Sequence, residues 1–154
     1  MYRKLRANKI FDGFDWLEEG RVLVFDNNKV LIDVVSETEA GDNVEQLEGI
    51  IIPGLINAHC HTELSHLKGL VPERTGLIDF LITVMKSRSA DRQLISAGVG
   101  AALREMEANG TVAVIDICNT TDALEGKKQS SLQWHNLIEV INLFDENLEK
   151  PLDY

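Results

Sequence analysis

Basic side chains, cysteines and long apolar runs are all scarce in this chain, and each scarcity removes a class of function. Fifteen Lys and Arg stand against 25 Asp and Glu in 154 residues, a formal net charge of -10. A surface with that balance repels phosphate backbones, so no nucleic-acid partner is expected. The two cysteines, Cys60 and Cys118, sit in apolar stretches. Two make no disulfide framework for a chain of this size; they fit a reducing compartment and read as small core hydrophobes. No segment approaches the roughly 18–20 uninterrupted apolar residues that a membrane span needs. The N-terminal "MYRKLRANKIFDGFDW" has basic residues but no apolar core leading to a small-residue cleavage site. It is not a secretory signal, and a cytoplasmic protein without a membrane partner is expected.

What is present is an ordinary globular balance, 44% hydrophobic and 26% charged, which argues against global disorder. Residues 1–48 read as short strands joined by polar turns. In "RVLVFDNNKVLIDVV" two apolar runs, Arg21 to Phe25 and Lys29 to Val35, flank Asp26-Asn27-Asn28, and the spacing predicts a hairpin. "SETEAGDN" reads as a loop and "VEQLEG" as one more strand.

Near Glu48 the pattern changes. "GIIIPGLINAHCH" is a nearly continuous apolar run, as in a strand covered on both faces in a parallel sheet. Two helical patterns follow. "TGLIDFLITVMKSR" repeats Leu77, Leu81, Val84 and Met85 at helical spacing behind Thr75 as N-cap. "DRQLISAGVGAALREMEANG" opens on Asp91 as cap, carries Leu94, Ile95, Ala102, Leu103 and Met106 on one face, and stops at Gly110. "TVAVIDICN" is a second buried strand, and "SLQWHNLIEVINLF" holds a third after a short connection. Strand, helices, strand, strand is the opening of an α/β fold. Residues 1–48 then form a small β domain and 49–154 an α/β domain.

The chemistry concentrates in "IIPGLINAHCHTELSHLKG", which sets His59, His61, Glu63 and His66 within eight positions. On an extended strand, residues i and i+2 share a face. His59 and His61 can therefore converge on one metal ion while Cys60 turns away. Imidazole suits zinc, iron, nickel and copper, so spacing alone does not choose among them. A divalent metal ionises water near neutral pH, which makes hydrolysis or deamination the natural reaction class. An isolated His-x-His is a weak signal. Its place just past the C-terminal end of a buried strand, where α/β enzymes put their sites, strengthens it.

"PGLINAHCHTELSHLKG" resembles the first barrel strand of the amidohydrolase superfamily, with its Pro-Gly, apolar pair, Asn, and His-x-His. The longer form His-Cys-His-Thr-Glu-Leu-Ser is similar to the branch of chlorohydrolases, guanine and cytosine deaminases and aminodeoxyfutalosine deaminases. The β-rich segment before it and "KGLVPERTGLIDFL" after it extend the resemblance from about Leu5 to Ile141. It implies a (β/α)₈ barrel of which about three strands are present, preceded by part of a small β-sandwich. It implies His59 and His61 as the first two metal ligands, with zinc or iron as the divalent cation. It also implies a small-molecule substrate, an amino-substituted heterocycle or nucleoside deaminated by hydroxide formed on the metal.

Glu63 would then sit on the loop above the metal and bind substrate, with a solvent-facing loop carboxylate as the alternative. His66 could contact substrate, although an ordinary loop histidine is the favoured reading. His135 reads as a packed core histidine. Asp116 and Glu139, embedded in apolar strands, need partners if buried.

The family's later metal ligands and catalytic aspartate have no counterpart in these residues. The chain alone is therefore expected to be inactive and to self-associate through open sheet edges. Two other readings stand beside this one: a truncated or interaction fragment without catalysis, and another His-x-His hydrolase such as a PHP-type phosphoesterase. The β-rich first segment and the acidic charge count against the phosphoesterase.

Overall fold

The computed structural model describes residues 2–140; the end of the third strand pattern, beyond Val140, and the polar "DENLEKPLDY" lie outside the described residues. The chain falls into two compact units, Met1–Pro53 and one from Gly54 onward.

The first unit holds β1 (Arg3–Ile10), β2 (Arg21–Phe25), β3 (Leu31–Ser36), the single-turn helix α1 (Glu37–Ala40) and β4 (Val44–Ile51). Its sheet runs β3-β2-β1-β4, antiparallel except for the parallel β1–β4 pair. The hairpin between β2 and β3 forms as the sequence predicts, with the Asp26 carboxylate accepting from the Asn28 and Val30 amides. Lys29 supplies the left-handed turn residue at φ 63°. Ile10, Val22, Leu23, Val24 and Ala40 are the buried apolar side chains. The "SETEAGDN" stretch is not all loop. Ser36 caps α1 in a reciprocal box with Glu39, a pattern written in the sequence as Ser-x-x-Glu.

"GIIIPGLINAHCH" is not one strand. β4 ends at Ile51 in the first sheet, and β5 (Leu55–Cys60) opens the second. Nor is β5 covered on both faces, since Leu55 and Ile56 are exposed. Gly54 marks the start because its backbone passes against the Val112 side chain, where a Cβ would collide.

The second unit continues with a 3₁₀ helix (Thr62–Leu67), α2 (Leu77–Ser87), α3 (Arg92–Ala108), β6 (Thr111–Cys118), α4 (Leu124–Gln129) and β7 (Gln133–Ile138). The strands form a parallel sheet in the order β5-β6-β7. Asp91 caps α3 by accepting from the Gln93 amide, as expected. Gly110, at φ 79°, turns the chain out of the helix, and its carbonyl accepts from the Leu55 amide at 2.9 Å. The core is Ile95, Val99 and Leu103 of α3 against Val114, Ala123 and Leu132.

α2 departs from expectation in two ways. Its N-cap is Gly76, at φ 80°, and Thr75 does not cap it. Leu77, Leu81 and Met85, expected to pack inward, are exposed together with Ile78, Phe80 and Ile82. His135 is exposed as well, not packed in a core. β7 is the outer strand of the described sheet, and β6 pairs with one of its edges only. No helix among the described residues is long and apolar enough to cross a membrane.

Candidate metal centre

The pairing of β5 with β6 explains how two histidines come together. Asn57 is level with Val114 and Cys60 with Asp116, so β5 spends three steps where β6 spends two. The extra residue is a bulge, which breaks the strict alternation assumed from sequence and frees an amide from the ladder. Asn57 lies beside it, its side-chain oxygen accepting from the His59 amide at 3.3 Å.

The ring of His59, within the bulge, and that of His61, just past it, meet edge to face with centroids 5.3 Å apart. His61 is the last residue before the 3₁₀ helix, at φ -126° and ψ 75°. Its Nδ1 is buried and has no hydrogen-bond partner. A buried imidazole nitrogen facing no protein partner, beside a second imidazole, suits a cation that takes nitrogen donors. Among the described residues no group of three or more His, Cys, Asp or Glu is arranged to hold a metal, and the histidine pair stands without a third such group beside it.

Glu63 is not a solvent-facing loop carboxylate. Only 4% exposed, it turns toward the loop after β6. One oxygen accepts from the Thr120 amide at 2.8 Å and the Thr120 hydroxyl at 2.9 Å, and both lie 3.2 Å from the Asn119 amide. The Arg88 guanidinium completes the set at 3.4 Å and also donates to the Asn119 side-chain oxygen at 3.1 Å. Glu63 thus joins the segment after β5 to the loop after β6 and to the residue that closes α2.

His66 is buried within the 3₁₀ helix. Its ring nitrogens lie 3.2 Å from the Glu63 carbonyl and 3.4 Å from the Ser87 carbonyl, tying that helix to the end of α2. The ordinary loop histidine favoured from sequence is instead a buried residue of a 3₁₀ helix. Glu139, just past β7, is exposed and accepts from the Asn119 side-chain amide at 3.1 Å.

Asp116 is fully buried on β6. One oxygen accepts from the Thr62 amide at 2.7 Å and the other meets Lys127 Nζ at 2.5 Å. Lys127, itself buried, also donates to the Asn136 side-chain oxygen at 2.6 Å and lies 5.0 Å over the Trp134 ring. Burial pushes both thiols up from their ordinary values, Cys60 and Cys118 alike, so neither is an activated nucleophile. Arg88, Asn119, Thr120 and Lys127 carry no sequence signal toward the site, because their roles depend on contacts between segments far apart in the chain.

The relatives in sequence are deaminases. The 5'-deoxyadenosine deaminase of Methanosphaera stadtmanae is 27% identical over 144 residues, covering 88% of this chain and 33% of that protein. The 5-methylthioadenosine/S-adenosylhomocysteine deaminase of Halobacterium salinarum is 34% identical over 104 residues, 66% of this chain and 24% of that protein. The chain is similar to the N-terminal portion of amidohydrolase-superfamily deaminases. It spans about a third or less of the length of these relatives.

Solved structures agree on the fold. Helicobacter pylori aminofutalosine deaminase, in complex with methylthio-coformycin, superposes with a TM-score of 0.70 at 18% identity, over 90% of this chain and 35% of that one. Atrazine chlorohydrolase from Arthrobacter aurescens TC1, complexed with zinc, gives 0.67 at 20% identity, over 88% and 35%. No protein-family model matches the chain.

Proposed function

We propose that this chain carries the metal-anchoring end of an amidohydrolase that hydrolytically deaminates an amino-substituted heterocycle, most directly a purine nucleoside. The observation that carries the proposal is the His59–His61 pair, 5.3 Å between ring centroids, with the His61 Nδ1 buried and unpartnered. Its support from outside the chain is that the relatives named above are adenosine-derivative deaminases and that one structural neighbour was solved with methylthio-coformycin. In this reading β5, β6 and β7 are the first strands of a (β/α)₈ barrel, and the first unit is part of a small β-sandwich.

His59 and His61 would hold the cation, zinc or iron. When bound, a divalent metal supplies Lewis acidity and a water that ionises near neutral pH. The chain's own groups prepare the place. Asn57 holds the His59 amide left over by the bulge. Glu63 is proposed on the substrate side, presented together with Arg88. A substrate reaching it would share a carboxylate that already accepts from Asn119 and Thr120.

With two ligands and no third acidic, histidine or cysteine group arranged beside them among the described residues, this chain by itself is expected to bind metal without turning over substrate. The β5 and β7 edges, with Leu55, Ile56, Leu137 and Ile138 exposed, make self-association part of the proposal. Apparent size on gel filtration that rises with protein concentration is its check.

The deciding test is elemental analysis of the gel-filtered chain beside a His59→Ala/His61→Ala variant. Stoichiometric zinc or iron that the variant loses supports the reading, and equal metal in both overturns it. A chimera joining these strands to the remainder of the Methanosphaera deaminase should release ammonia from 5'-deoxyadenosine, and His61→Ala should abolish that release.

A further inference from the structure

Asp116 and Lys127 form the most deeply buried ion pair among the described residues, with side-chain exposures of 0% and 4%. Burying two charges is costly even when they are paired, and such a pair is weak evidence of stabilisation. Its placement suggests another use. Asp116 is level with Cys60, the residue between the two histidines. Its free oxygen does not satisfy a second side chain; it accepts from the Thr62 amide, the first backbone donor after His61, at 2.7 Å.

That amide begins the 3₁₀ helix, where backbone donors have no partner within the helix. Holding it fixes the peptide plane between His61 and Thr62, and with it the direction of the His61 Cα–Cβ bond. The other oxygen is held by Lys127, which is fixed in turn by Asn136 Oδ1 at 2.6 Å, Cys118 Sγ at 3.3 Å and the Trp134 ring. The carboxylate therefore has no freedom to turn away from Thr62.

We infer that Asp116, braced by Lys127, is a positioning residue that aims the His61 imidazole at the metal through the Thr62 amide. The inference rests on the reading of His59 and His61 as ligands. It assigns the β6 carboxylate a role different from the proton-transfer role open to a carboxylate in contact with substrate. Groups that orient a ligand in this way typically change metal affinity about 10–100-fold when removed.

Two double substitutions in the full chain separate the hydrogen bond from the ion pair. Asp116→Asn/Lys127→Met removes both charges but leaves an oxygen that can accept from Thr62. Asp116→Leu/Lys127→Met removes the acceptor as well, and apolar replacement of a buried pair is often neutral or stabilising for the fold. The measurements are Co²⁺ affinity, the circular dichroism melt, and the ¹⁵N and ¹³C signals of the metal-free His61 ring.

The Asn/Met variant should bind Co²⁺ within about threefold of the parent. The Leu/Met variant should melt as a folded protein, bind Co²⁺ about 10–100-fold more weakly, and show displaced His61 signals. A folded Leu/Met variant with parental affinity and unmoved His61 signals overturns the inference. Should Leu/Met not fold, loss of affinity in Asn/Met with the Thr62 amide still protected from exchange overturns it instead. If the parent chain binds no Co²⁺, the metal reading fails by itself, and the His61 signals of the metal-free variants still decide the positioning role.

Discussion

Gly98 of α3 faces the backbone of His66 with no space between them: a Cβ at position 98 would lie 2.6 Å from the His66 nitrogen and 2.7 Å from its Cα. The glycine lets a helix pass directly against the 3₁₀ turn that follows the histidine pair. Gly98→Ala must push the two apart, at a cost of about 1–3 kcal/mol typical of overpacking. Gly100→Ala is the control, since its nearest neighbour is the Arg104 guanidinium at 3.4 Å. Urea denaturation of both variants checks this, with a lower midpoint expected for Gly98→Ala alone.

Glu63 and Arg88 are unequal partners. Removing the guanidinium leaves Glu63 with the Thr120 amide and hydroxyl and the Asn119 amide. Removing the carboxylate takes the shared acceptor from all of those part-buried bonds. Glu63→Gln, which sets an amide NH₂ among backbone donors, should destabilise by about 3 kcal/mol, and Arg88→Met by markedly less. The reverse order in equilibrium unfolding would mean that the guanidinium, and not the carboxylate, holds this corner.

Hydrogen bonds from the Ser36 hydroxyl, and then from its backbone amide, hold the Glu39 carboxyl below the ordinary glutamate value. A depressed folded value means that the capping box stabilises the fold above the unfolded carboxylate's pKa and that this contribution is lost as pH falls through the folded one. In ¹³C titrations Glu39 should move up toward the ordinary value in Ser36→Ala. The stability gap between that variant and the parent should narrow in acid; a gap that widens on acidification contradicts the assignment.

Local signals read well from the sequence. The Asp26-Asn27-Asn28 turn, the Asp91 cap, the Gly110 stop and the β6 strand depend on residues within a few positions of one another, and the structure has each of them. Failures came where partners decide. Leu77, Leu81 and Met85 have helical spacing, and that spacing makes a helix without saying what it packs against. His135 lies in a strand pattern, but only strand order reveals that the strand is an outer one.

At the site, His59 and His61 were legible and do lie together, although not by simple alternation: a bulge intervenes, and one sequence cannot announce it. Asp116 was recognisable as a charge needing a partner, whereas Lys127, in a short helix that the sequence did not predict, was not.

The hydrogen bond from Thr62 to Asp116 spans 54 residues of chain. The conformation that closes the His-Cys-His segment is therefore specified partly in another strand. A designer who grafts residues 59–61 onto a foreign sheet would carry over the two imidazoles and leave behind what aims one of them. The smallest transferable piece is β5 with its bulge, β6 with Asp116, and the α4 lysine, moved together.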